Sequence, residues 1–398
     1  MRQDGRITPL EVLRVFLKLG LTSFGGPIAH LGYFRNEFVV KRRWLGEAQF
    51  ADLIALCQFL PGPASSQTGF AIGLMRAGWL GGVAAWAGFT LPSAIALTLF
   101  AYGEGGLAGK AGQGLLHGLK LVAVAVVAQA VLGMARSLAP DKPRAAIAVF
   151  ALVLTAFGQG AFAQIGAIAA GGLAGLALLR PEPRPVGDGA GKPPVGRRAA
   201  VACLVALFVL LALSLASVSD PALAFLAAIY RSGALVFGGG HVVLPLLRSA
   251  VVAPGYVSDG AFLAGYGAAQ AVPGPLFTFA AYLGAVANAP GGALGAALAL
   301  VAIFLPGLLI LIGALPFWHR LRAHPGARAA MAGVNAAVVG LLASALYDPV
   351  WTSAVRGQAD FALAVAGFAA LAVWRAPPIA VVLLIAAAGV ALEFPAFP

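Results

Sequence analysis

The sequence is a succession of apolar runs of about 17–25 residues that continues nearly to its last residue, and each run is long enough for an α-helix to cross a bilayer. Of the 398 residues, 61% are hydrophobic and only 10% are charged. A water-soluble domain of this composition would lack the polar surface that keeps it in solution. The sequence therefore predicts an all-α polytopic integral membrane protein, surrounded by membrane lipid.

The charged residues and cysteines fit this class. The formal net charge is +12, but the lysines and arginines lie mostly in short loops between apolar runs. In such loops they indicate membrane topology, so we expect no nucleic-acid partner. Cys57 and Cys203 lie inside apolar runs and are interpreted as small buried hydrophobes rather than a disulfide. Glu11, Arg14 and Lys18 interrupt the first run, which argues against a cleavable signal peptide.

Four short stretches break the apolar runs in two matched pairs. "FGGP" at Phe24–Pro27 and "FGGG" at Phe237–Gly240 are each followed by "PGP", at Pro61–Pro63 and Pro273–Pro275. Proline removes a backbone donor and clashes with the preceding helical turn, while glycine tolerates the unusual dihedral angles that result. Inside a bilayer, broken backbone is tolerated only where protein buries it or where it lines a watery cavity. The four breaks are therefore predicted to meet at one polar centre.

The matched breaks belong to an internal repeat. The numbering offset is 237 − 24 = 213 between Phe24 and Phe237, and 273 − 61 = 212 between Pro61 and Pro273. Other pairs follow in the same order: Trp44 with Tyr256, Glu47 with Asp259, Phe50 with Phe262, Gln58 with Gln270, and Leu91–Ser93 with Leu305–Gly307. Glu47 and Asp259 each open a segment, so we interpret them as helix caps.

Hydropathy and loop residues divide the chain into thirteen segments. They are 9–40, 47–76, 79–102, 113–137, 143–158, 160–180, 199–217, 221–247, 261–287, 291–315, 328–348, 360–375 and 377–395. The stretch Arg180–Arg198 is dominated by proline and glycine and is interpreted as a flexible linker. The predicted domains are an N-terminal repeat (1–180), a cytoplasmic Pro/Gly/Arg linker (181–198), a connecting transmembrane helix (199–217) and a C-terminal repeat (218–398).

An odd number of crossings separates the two repeats, which predicts inverted topology, the common plan of secondary transporters. Suppose that the four broken segments re-enter as hairpins and that the N-terminus is inside. The outer loops then carry Lys110, Arg248 and Arg356, while the other loop cations lie inside. Full crossings would move Lys41–Arg43 outside and Arg248 inside, which fits the positive-inside rule less well. Hairpins are favoured, but both alternatives keep the repeats inverted.

The side chains around the breaks are mostly neutral hydrogen-bond donors, and no carboxylate lies within four residues of any break. Half-helices that begin there would add free N–H groups and positive dipole ends. A cation site would use carboxylates, so this pattern predicts an oxyanion site with no metal, cofactor or catalytic residue. The candidate substrate-binding residues are Gly25, Gly26, Pro27, His30, Gln58, Pro61, Gly62, Pro63, Ser65, Ser66, Thr68, Gly238, Gly239, Gly240, His241, Gln270, Pro273, Gly274, Pro275 and Thr278.

Each candidate has a structural alternative. Hydroxyls in membrane helices often bond their own backbone, glycines often serve helix packing, and His30 is also explained as a hydrogen-bonded interior histidine. Gln58 and Gln270 are stronger candidates, because each stands three residues before a PGP motif. Arg14 and Lys18 would add positive potential to a cavity, but snorkelling or pairing with Glu11 is the favoured interpretation.

The motifs "TSFGGPIAHLGYF", "KRRWL" with "QFLPGP", "FGGGHVVLP" and "QAVPGP" resemble the chromate ion transporter family over about residues 8–138 and 221–348. The resemblance implies a long, two-domain member, located in the bacterial inner membrane, that exports chromate and confers resistance. It also implies sulfate as a look-alike substrate. Tyr256 departs from the tryptophan that the resemblance would place there, as at Trp44.

The sequence has no G-x-x-x-x-G-K-[ST] phosphate loop; "GEGGLAGKAG" at Gly103–Gly112 is similar in composition only. We therefore expect alternating access driven by the membrane potential or the proton motive force. The candidates for proton coupling are Glu47, Asp52, Glu104, His30 and His241.

The sequence leaves two other functions open: a sulfate or other oxyanion importer or exchanger, and a passive channel. A homodimer is also left open. An enzyme is disfavoured because neither H-E-x-x-H nor G-x-S-x-G occurs.

Overall fold

The computed structural model describes residues 7–23, 26–103, 109–158, 160–180, 195–216, 218–237, 243–318 and 324–393, and within them it contains helices and no strand. The α-helices of eight or more residues are α1 Pro9–Thr22, α2 Gly26–Phe34, α3 Glu47–Phe59, α4 Ala64–Gly103, α5 Lys110–Leu138, α6 Lys142–Phe157, α7 Gly160–Leu178, α8 Arg197–Leu215, α9 Pro221–Ala234, α10 Val243–Val251, α11 Asp259–Ala269, α12 Phe279–Val286, α13 Gly292–Ala314, α14 Pro325–Ala345, α15 Gln358–Ala372 and α16 Pro378–Leu392. Each of the thirteen predicted segments contains one or two of them.

The helices have the length and surface of a multi-pass membrane protein. Within the described ranges, α4, α5, α8 and the stretches Gly292–Phe317 and Pro325–Ala354 are apolar and long enough to cross a bilayer. Large apolar side chains such as Leu80 and Leu384, each 71% exposed, cover the outside of the bundle. Together these findings confirm the predicted class, an all-α polytopic membrane protein. Cys57 and Cys203 are free thiols.

The first apolar segment folds back on itself at its glycine break. The Phe16 ring on α1 lies 5.6 Å from that of Phe34 and 5.0 Å from that of Phe38, on the returning arm. At the open end, Glu11 forms an ion pair with Arg42 at 3.5 Å. With 14 residues, α1 is about 21 Å long, shorter than the roughly 30 Å hydrocarbon core. The segment is therefore a helical hairpin with both ends on one side.

Its counterpart in the second half, α9 and α10, is also a hairpin. The hydroxyl of Ser232 donates to the carbonyl oxygen of Leu246 at 3.4 Å, across the break. Nearer the open end, the rings of Phe225 and Tyr256 are 5.4 Å apart. In one continuous helix, residues 232 and 246 would be about 21 Å apart. The chain therefore reverses direction between them.

The two PGP segments reverse direction as well. In the second half, the Tyr282 hydroxyl on α12 donates to the carbonyl oxygen of Ala261 on α11 at 3.0 Å. In the first half, α3 packs against α4 across the loop. All four broken segments are thus hairpins, and the structure favours re-entry over full crossing.

Helix α4 contains a second reversal. The backbone leaves helical geometry at Ala77 and Gly78, where φ of Gly78 is +66°, and Gly73 and Gly81 come into contact across the turn. This is the predicted boundary between segments 47–76 and 79–102. In the second half, Gly284 and Gly295 make the corresponding contact at the turn before α13.

A long helix of each half packs against helices of the other half. Helix α5 packs against α15 and α16, while α14 packs against α6 and α7. The close approaches correspond: a Cβ on Gly118 would lie 2.7 Å from Ala386 Cα, and one on Gly333 would clash with the Gly171 carbonyl oxygen. The numbering offsets agree, since 333 − 118 = 215 and 386 − 171 = 215. This reciprocal packing binds the two halves into one body.

Of the two alternatives favoured for Arg14 and Lys18, snorkelling and pairing with Glu11, the pairing is wrong. Glu11 pairs with Arg42, not with Arg14 or Lys18, because the hairpin brings Arg42 back to the start of α1.

Glu47 and Asp259 are not helix caps. Helix α3 starts after a glycine, and Ser258 caps α11. The two carboxylates instead lie in the first turns and accept hydrogen bonds from arginines, Glu47 from Arg35 Nε at 3.1 Å and Asp259 from Arg248 Nε at 2.8 Å. Since 248 − 35 = 213, the arginines also match by the repeat.

Candidate functional site

The tips of the hairpins meet, and they do so reciprocally between the halves. The Gly62 N–H donates to the carbonyl oxygen of Val236 at 2.7 Å, and the Gly274 N–H donates to that of Ser23 at 2.9 Å. These bonds match by the repeat, because 274 − 62 = 212 and 236 − 23 = 213. Each PGP tip therefore binds the residue just before the FGG motif of the other half. We call the residues Ser23, Pro61–Pro63, Val236 and Pro273–Pro275 the tip junction.

Only glycine fits at the centre of each PGP motif. The φ angles are +117° at Gly62 and +96° at Gly274, in the region that disfavours L side chains. A Cβ on Gly62 would lie 3.0 Å from Gly307 Cα, and one on Gly274 would lie 2.9 Å from Ser93 Oγ. Because 307 − 93 = 214, the repeated Leu-Pro-Ser and Leu-Pro-Gly motifs supply the wall behind each tip.

Gln67 connects the junction to the second half. Its side chain is completely buried, and its Nε2 donates to the carbonyl oxygens of Pro61 at 2.9 Å and Gly307 at 2.8 Å. One amide thus holds the turn of its own PGP loop against α13. Its Oε1 has no hydrogen-bond partner within the described residues.

His30 connects the glycine break of the first half to the start of α4. Its Nε2 lies 3.2 Å from the Ser23 carbonyl oxygen and its Nδ1 lies 3.3 Å from Ser65 Oγ. A carbonyl oxygen can only accept, so Nε2 carries the hydrogen, and Nδ1 of the neutral ring accepts from the serine. The ring is 1% exposed and meets Phe89 edge to face. His30 therefore holds two hairpins together.

Several buried polar groups around the junction have no partner among the described residues. They are the hydroxyls of Ser23, Ser66 and Thr90 and the side-chain Nε2 of Gln270. Leaving a donor buried and unpaired costs about 1–3 kcal/mol, and buried polar groups in native proteins are seldom left so. A group of them in the segments that form one junction is what a site for a hydrogen-bond-accepting ligand requires.

The backbone adds further donors. Helix α4 begins at Ala64, directly after Pro63, and its first turn bond runs from the Gln67 N–H to the Pro63 carbonyl oxygen. The N–H groups of the first turn before Gln67 therefore lack a helical acceptor and carry the positive end of the helix dipole. A helix start of this kind favours an anion.

The structure places the predicted residues as follows. The junction and its immediate neighbours include the predicted residues His30, Pro61, Gly62, Pro63, Ser65, Ser66, Gln270, Pro273, Gly274 and Pro275. Gly26 has a φ of +76° and opens α2, which also contains Pro27. Gly25, Gly238, Gly239, Gly240 and His241 lie outside the described residues, as does Glu104.

Three predicted polar residues do not offer a free buried donor to the junction. The hydroxyl of Thr68 donates to the Ala64 carbonyl oxygen at 2.8 Å, and that of Thr278 donates to the Pro275 carbonyl oxygen at 2.7 Å. Both hydroxyls thus bond their own backbone, the structural alternative for membrane helices. Gln58 is exposed on the last turn of α3, unlike its repeat partner Gln270.

The polar lining of the junction is asymmetric. By the offset that relates the two PGP motifs, Ser65 corresponds to Phe277 and Gln67 to Phe279. Both phenylalanines are buried in the core, where Phe279 stacks on Tyr282 with ring centroids 5.9 Å apart. The first half therefore supplies most of the polar side chains, and the second half supplies apolar packing.

Four residues of the site were absent from the candidate set: Ser23, Gln67, Thr90 and Ser93. Ser23 directly precedes the glycine break and Gln67 follows the PGP motif by four residues, so position alone was a usable signal for both. Thr90 and Ser93 lie beyond the reversal inside α4, at the predicted segment boundary, but the approach of this stretch to Gly274 joins residues that are far apart in the chain.

The fold and the junction together define a class, the polytopic membrane protein built on helical hairpins and an internal repeat, a plan that is common among transporters. The specific family follows from comparison of the sequence. The chromate transporter family model matches residues 10–176 and 223–390, and the chain belongs to that family. The two matched stretches are offset by 223 − 10 = 213 at their starts and by 390 − 176 = 214 at their ends. Family members are transporters rather than enzymes.

Individual relatives agree. The chain is 33% identical to the chromate transport protein of Pseudomonas aeruginosa over 393 residues, covering 96% of this chain and 91% of the relative. It is 26% identical over 342 residues to the chromate transport protein of Cupriavidus metallidurans, covering 84% and 81% of the two chains. A probable chromate transport protein of Synechococcus elongatus is 26% identical over 346 residues, covering 84% and 83%. No solved structure gives a significant match.

Proposed function

We propose that the chain exports chromate from the cytoplasm across the bacterial inner membrane, and that the tip junction binds the anion. The observation that carries this proposal is the group of donors on Ser23, Ser66, Thr90 and Gln270 that have no partner in the described part of the chain. Chromate is a tetrahedral dianion that accepts hydrogen bonds through every oxygen. Neutral donors and a helix N-terminus bind such an ion with lower affinity than a buried arginine would, so the ion can dissociate again.

The membrane potential is sufficient to drive export. One elementary charge gains about 2.3 kcal/mol per 100 mV, so a dianion that leaves a negative cytoplasm gains roughly 4.6 kcal/mol. That is roughly a thousandfold concentration ratio. Two of the carboxylates considered for proton coupling have partners that favour the ionised form, since Glu47 accepts from Arg35 and Asp52 accepts from Trp318 Nε1 at 3.1 Å. We therefore propose electrogenic export, which would confer chromate resistance.

Transport by this site requires alternating access, which we assign to the two halves as inverted repeats. We assign closure of the path to the reciprocal bonds Gly62–Val236 and Gly274–Ser23. Separating one pair opens the junction to one side, and separating its repeat counterpart opens it to the other. The pseudo-twofold pattern of these bonds supports the proposal.

Impermeant thiol labelling tests the inversion. In a Cys57→Ala/Cys203→Ala background, Ile7→Cys and Arg43→Cys flank the first hairpin, and Ser219→Cys and Ala253→Cys flank its repeat counterpart. We expect the first pair to react only from the cytoplasmic side and the second pair only from outside. Labelling of both pairs from one side would contradict the inverted repeat, and labelling of Ile7→Cys and Arg43→Cys from opposite sides would contradict re-entry.

Direction and substrate are tested by following radiolabelled chromate in preloaded cells. Export predicts faster loss of label in cells with the protein, abolished by an uncoupler and reduced by excess cytoplasmic sulfate if sulfate shares the site. Faster uptake of label or of sulfate would indicate an oxyanion importer or exchanger instead. Efflux that fails to saturate with chromate would indicate a channel.

The two repeat-related glutamines should differ in effect. Gln270→Ala removes a buried, unpartnered donor, so we expect KM for chromate to rise about tenfold or more. Gln58→Ala alters an exposed side chain and should change KM less than threefold, roughly, as expected for a surface position. Kinetics of chromate uptake into inverted vesicles, in which cytoplasm-to-outside transport runs into the lumen, would measure both. Equal losses would show that Gln58 takes part directly in binding.

A further inference from the structure

A cavity of about 210 Å³ lies beside the tip junction, between α9, α10 and the loop that follows α10. Its polar lining consists of Arg231, Ser232, Ser249 and Tyr256, and none of its lining residues in the described chain carries a carboxylate. A water molecule occupies about 30 Å³ in the liquid, so the cavity has room for a small oxyanion with some of its water. Leu235 also lines it, and the next residue, Val236, belongs to the junction.

Arg231 is the unexplained residue in this cavity. It is half-buried in an apolar bundle and donates through one guanidinium nitrogen to the Ser214 carbonyl oxygen. Among the described residues it forms no ion pair with a carboxylate. A cation inside a membrane protein without a counter-ion is expensive and usually marks an ion path or a ligand site. The guanidinium has further N–H donors directed by its planar fork, the geometry that suits tetrahedral oxyanions.

The repeat gives an independent observation. Lys18 occupies the position that matches Arg231, because 231 − 18 = 213. The two lie on equivalent helix faces: two residues later, Gly20 approaches the Phe89 carbonyl oxygen and Gly233 approaches that of Ile303. Lys18 likewise has no ion pair with a carboxylate among the described residues. The repeat thus places a cation at the same position in both halves, exposed at Lys18 and half-buried at Arg231, although Ser65 and Gln67 have no polar counterpart in the second half.

We propose that the Arg231 cavity is a second oxyanion-binding site, a waiting position on the route between the tip junction and the outer surface. This proposal rests on the proposed function, because the cavity lies on an exit route only if the chain exports the anion. In the hairpin topology the loop that contains Tyr256 is outside. At 1.5 Å per residue, Arg231 is about 7.5 Å along the chain axis from Val236. An anion leaving the junction therefore meets the guanidinium next. Lys18 would hold the corresponding position on the cytoplasmic side.

The first test is kinetic. Arg231→Gln should raise the KM for chromate efflux about tenfold or more, because a hydrogen bond to a charged group is lost, whereas Arg231→Lys should recover part of that loss. Arg198→Gln, an equal charge change at an exposed position, is the control. Unchanged KM in Arg231→Gln, with wild-type protein active, would overturn the second site and leave the proposed function standing.

The second test detects occupancy directly. Ser249→Cys in the full chain without native cysteines places a thiol in the cavity, and sulfate serves as a probe that does not oxidise thiols. We expect sulfate to slow modification by a neutral thiol reagent in detergent, and Arg231→Gln to remove the protection. No protection would overturn the site. Protection by phosphatidylglycerol vesicles alone, without an effect of sulfate, would assign the cavity to a lipid phosphate and overturn it too. Protection by sulfate in a protein without transport would retain the site and reject the exporter.

Discussion

Replacing Gln67 with leucine should lower chromate efflux by about 100-fold or more, although the protein still reaches the membrane. The side chain is buried and its amide holds the carbonyl oxygens of Pro61 and Gly307. Leucine has a similar size but no donor, so both oxygens lose their partner in a buried place. Each unpaired group costs about 1–3 kcal/mol, and together they favour separation of the PGP tip from α13. Efflux from preloaded cells, normalised to the amount of membrane-inserted protein, measures the effect.

The matched control for Gln67→Leu is Gln358→Leu, at an exposed position at the start of α15. It should retain most of the wild-type rate. If Gln67→Leu also retained the wild-type rate, the link between the PGP tip and the second half would have no part in transport. If both variants lost transport equally, the loss could not be assigned to the contacts that Gln67 makes at the junction.

Replacing Gly274 with alanine should disrupt the junction as a whole. A positive φ costs an L residue roughly 1–2 kcal/mol, and the added Cβ would also lie 2.9 Å from Ser93 Oγ and 3.0 Å from the Phe89 carbonyl oxygen. The Gly274–Ser23 bond should break, because the tip must move away from that wall. We expect loss of transport and a lower thermal midpoint of the purified protein. The repeat counterpart, Gly62→Ala, should behave alike.

Gly133→Ala is the control for this prediction. Gly133 lies on the exposed face of α5, and a Cβ there would meet nothing within 4 Å. Because alanine favours the helix, this variant should be as stable as wild type or slightly more so. Normal transport and stability in both Gly274→Ala and Gly62→Ala would show that the tips tolerate displacement, which contradicts a closed junction made of these contacts.

Much of the fold was predictable because its causes are local in sequence. Apolar runs of bilayer length give the helices, and proline and glycine give the breaks, whatever surrounds them. The hairpins were favoured by the positions of Lys41–Arg43 and Arg248, and ring contacts such as Phe16 with Phe34 and Phe225 with Tyr256 support them. The repeat was visible because motif order and spacing survive divergence of the residues between them.

The contacts of the site were not predictable in the same way. Gln67 and Gly307 are far apart in the chain, since 307 − 67 = 240, and nothing near either residue indicates the other. The cap interpretation of Glu47 failed because α3 begins one residue earlier than expected, with Gly46 as its cap, and the partner Arg35 is close only after the chain turns back. The repeat also misled: Gln58 and Gln270 match in sequence, but one is exposed and the amide nitrogen of the other is buried. Matching motifs in the two halves therefore do not guarantee that the matched side chains are equally buried.

The most direct test of the oxyanion site is equilibrium binding of radiolabelled chromate to purified protein with two isosteric substitutions on α4. Thr90 and Thr68 are both fully buried, but the Thr90 hydroxyl is unpartnered among the described residues and the Thr68 hydroxyl bonds the Ala64 carbonyl oxygen. Thr90→Val should weaken chromate binding about 10- to 100-fold, the worth of a hydrogen bond to a charged ligand, and Thr68→Val should leave it nearly unchanged. Wild-type affinity in Thr90→Val, or equal loss in both variants, would contradict a site built from the unpartnered donors of the tip junction.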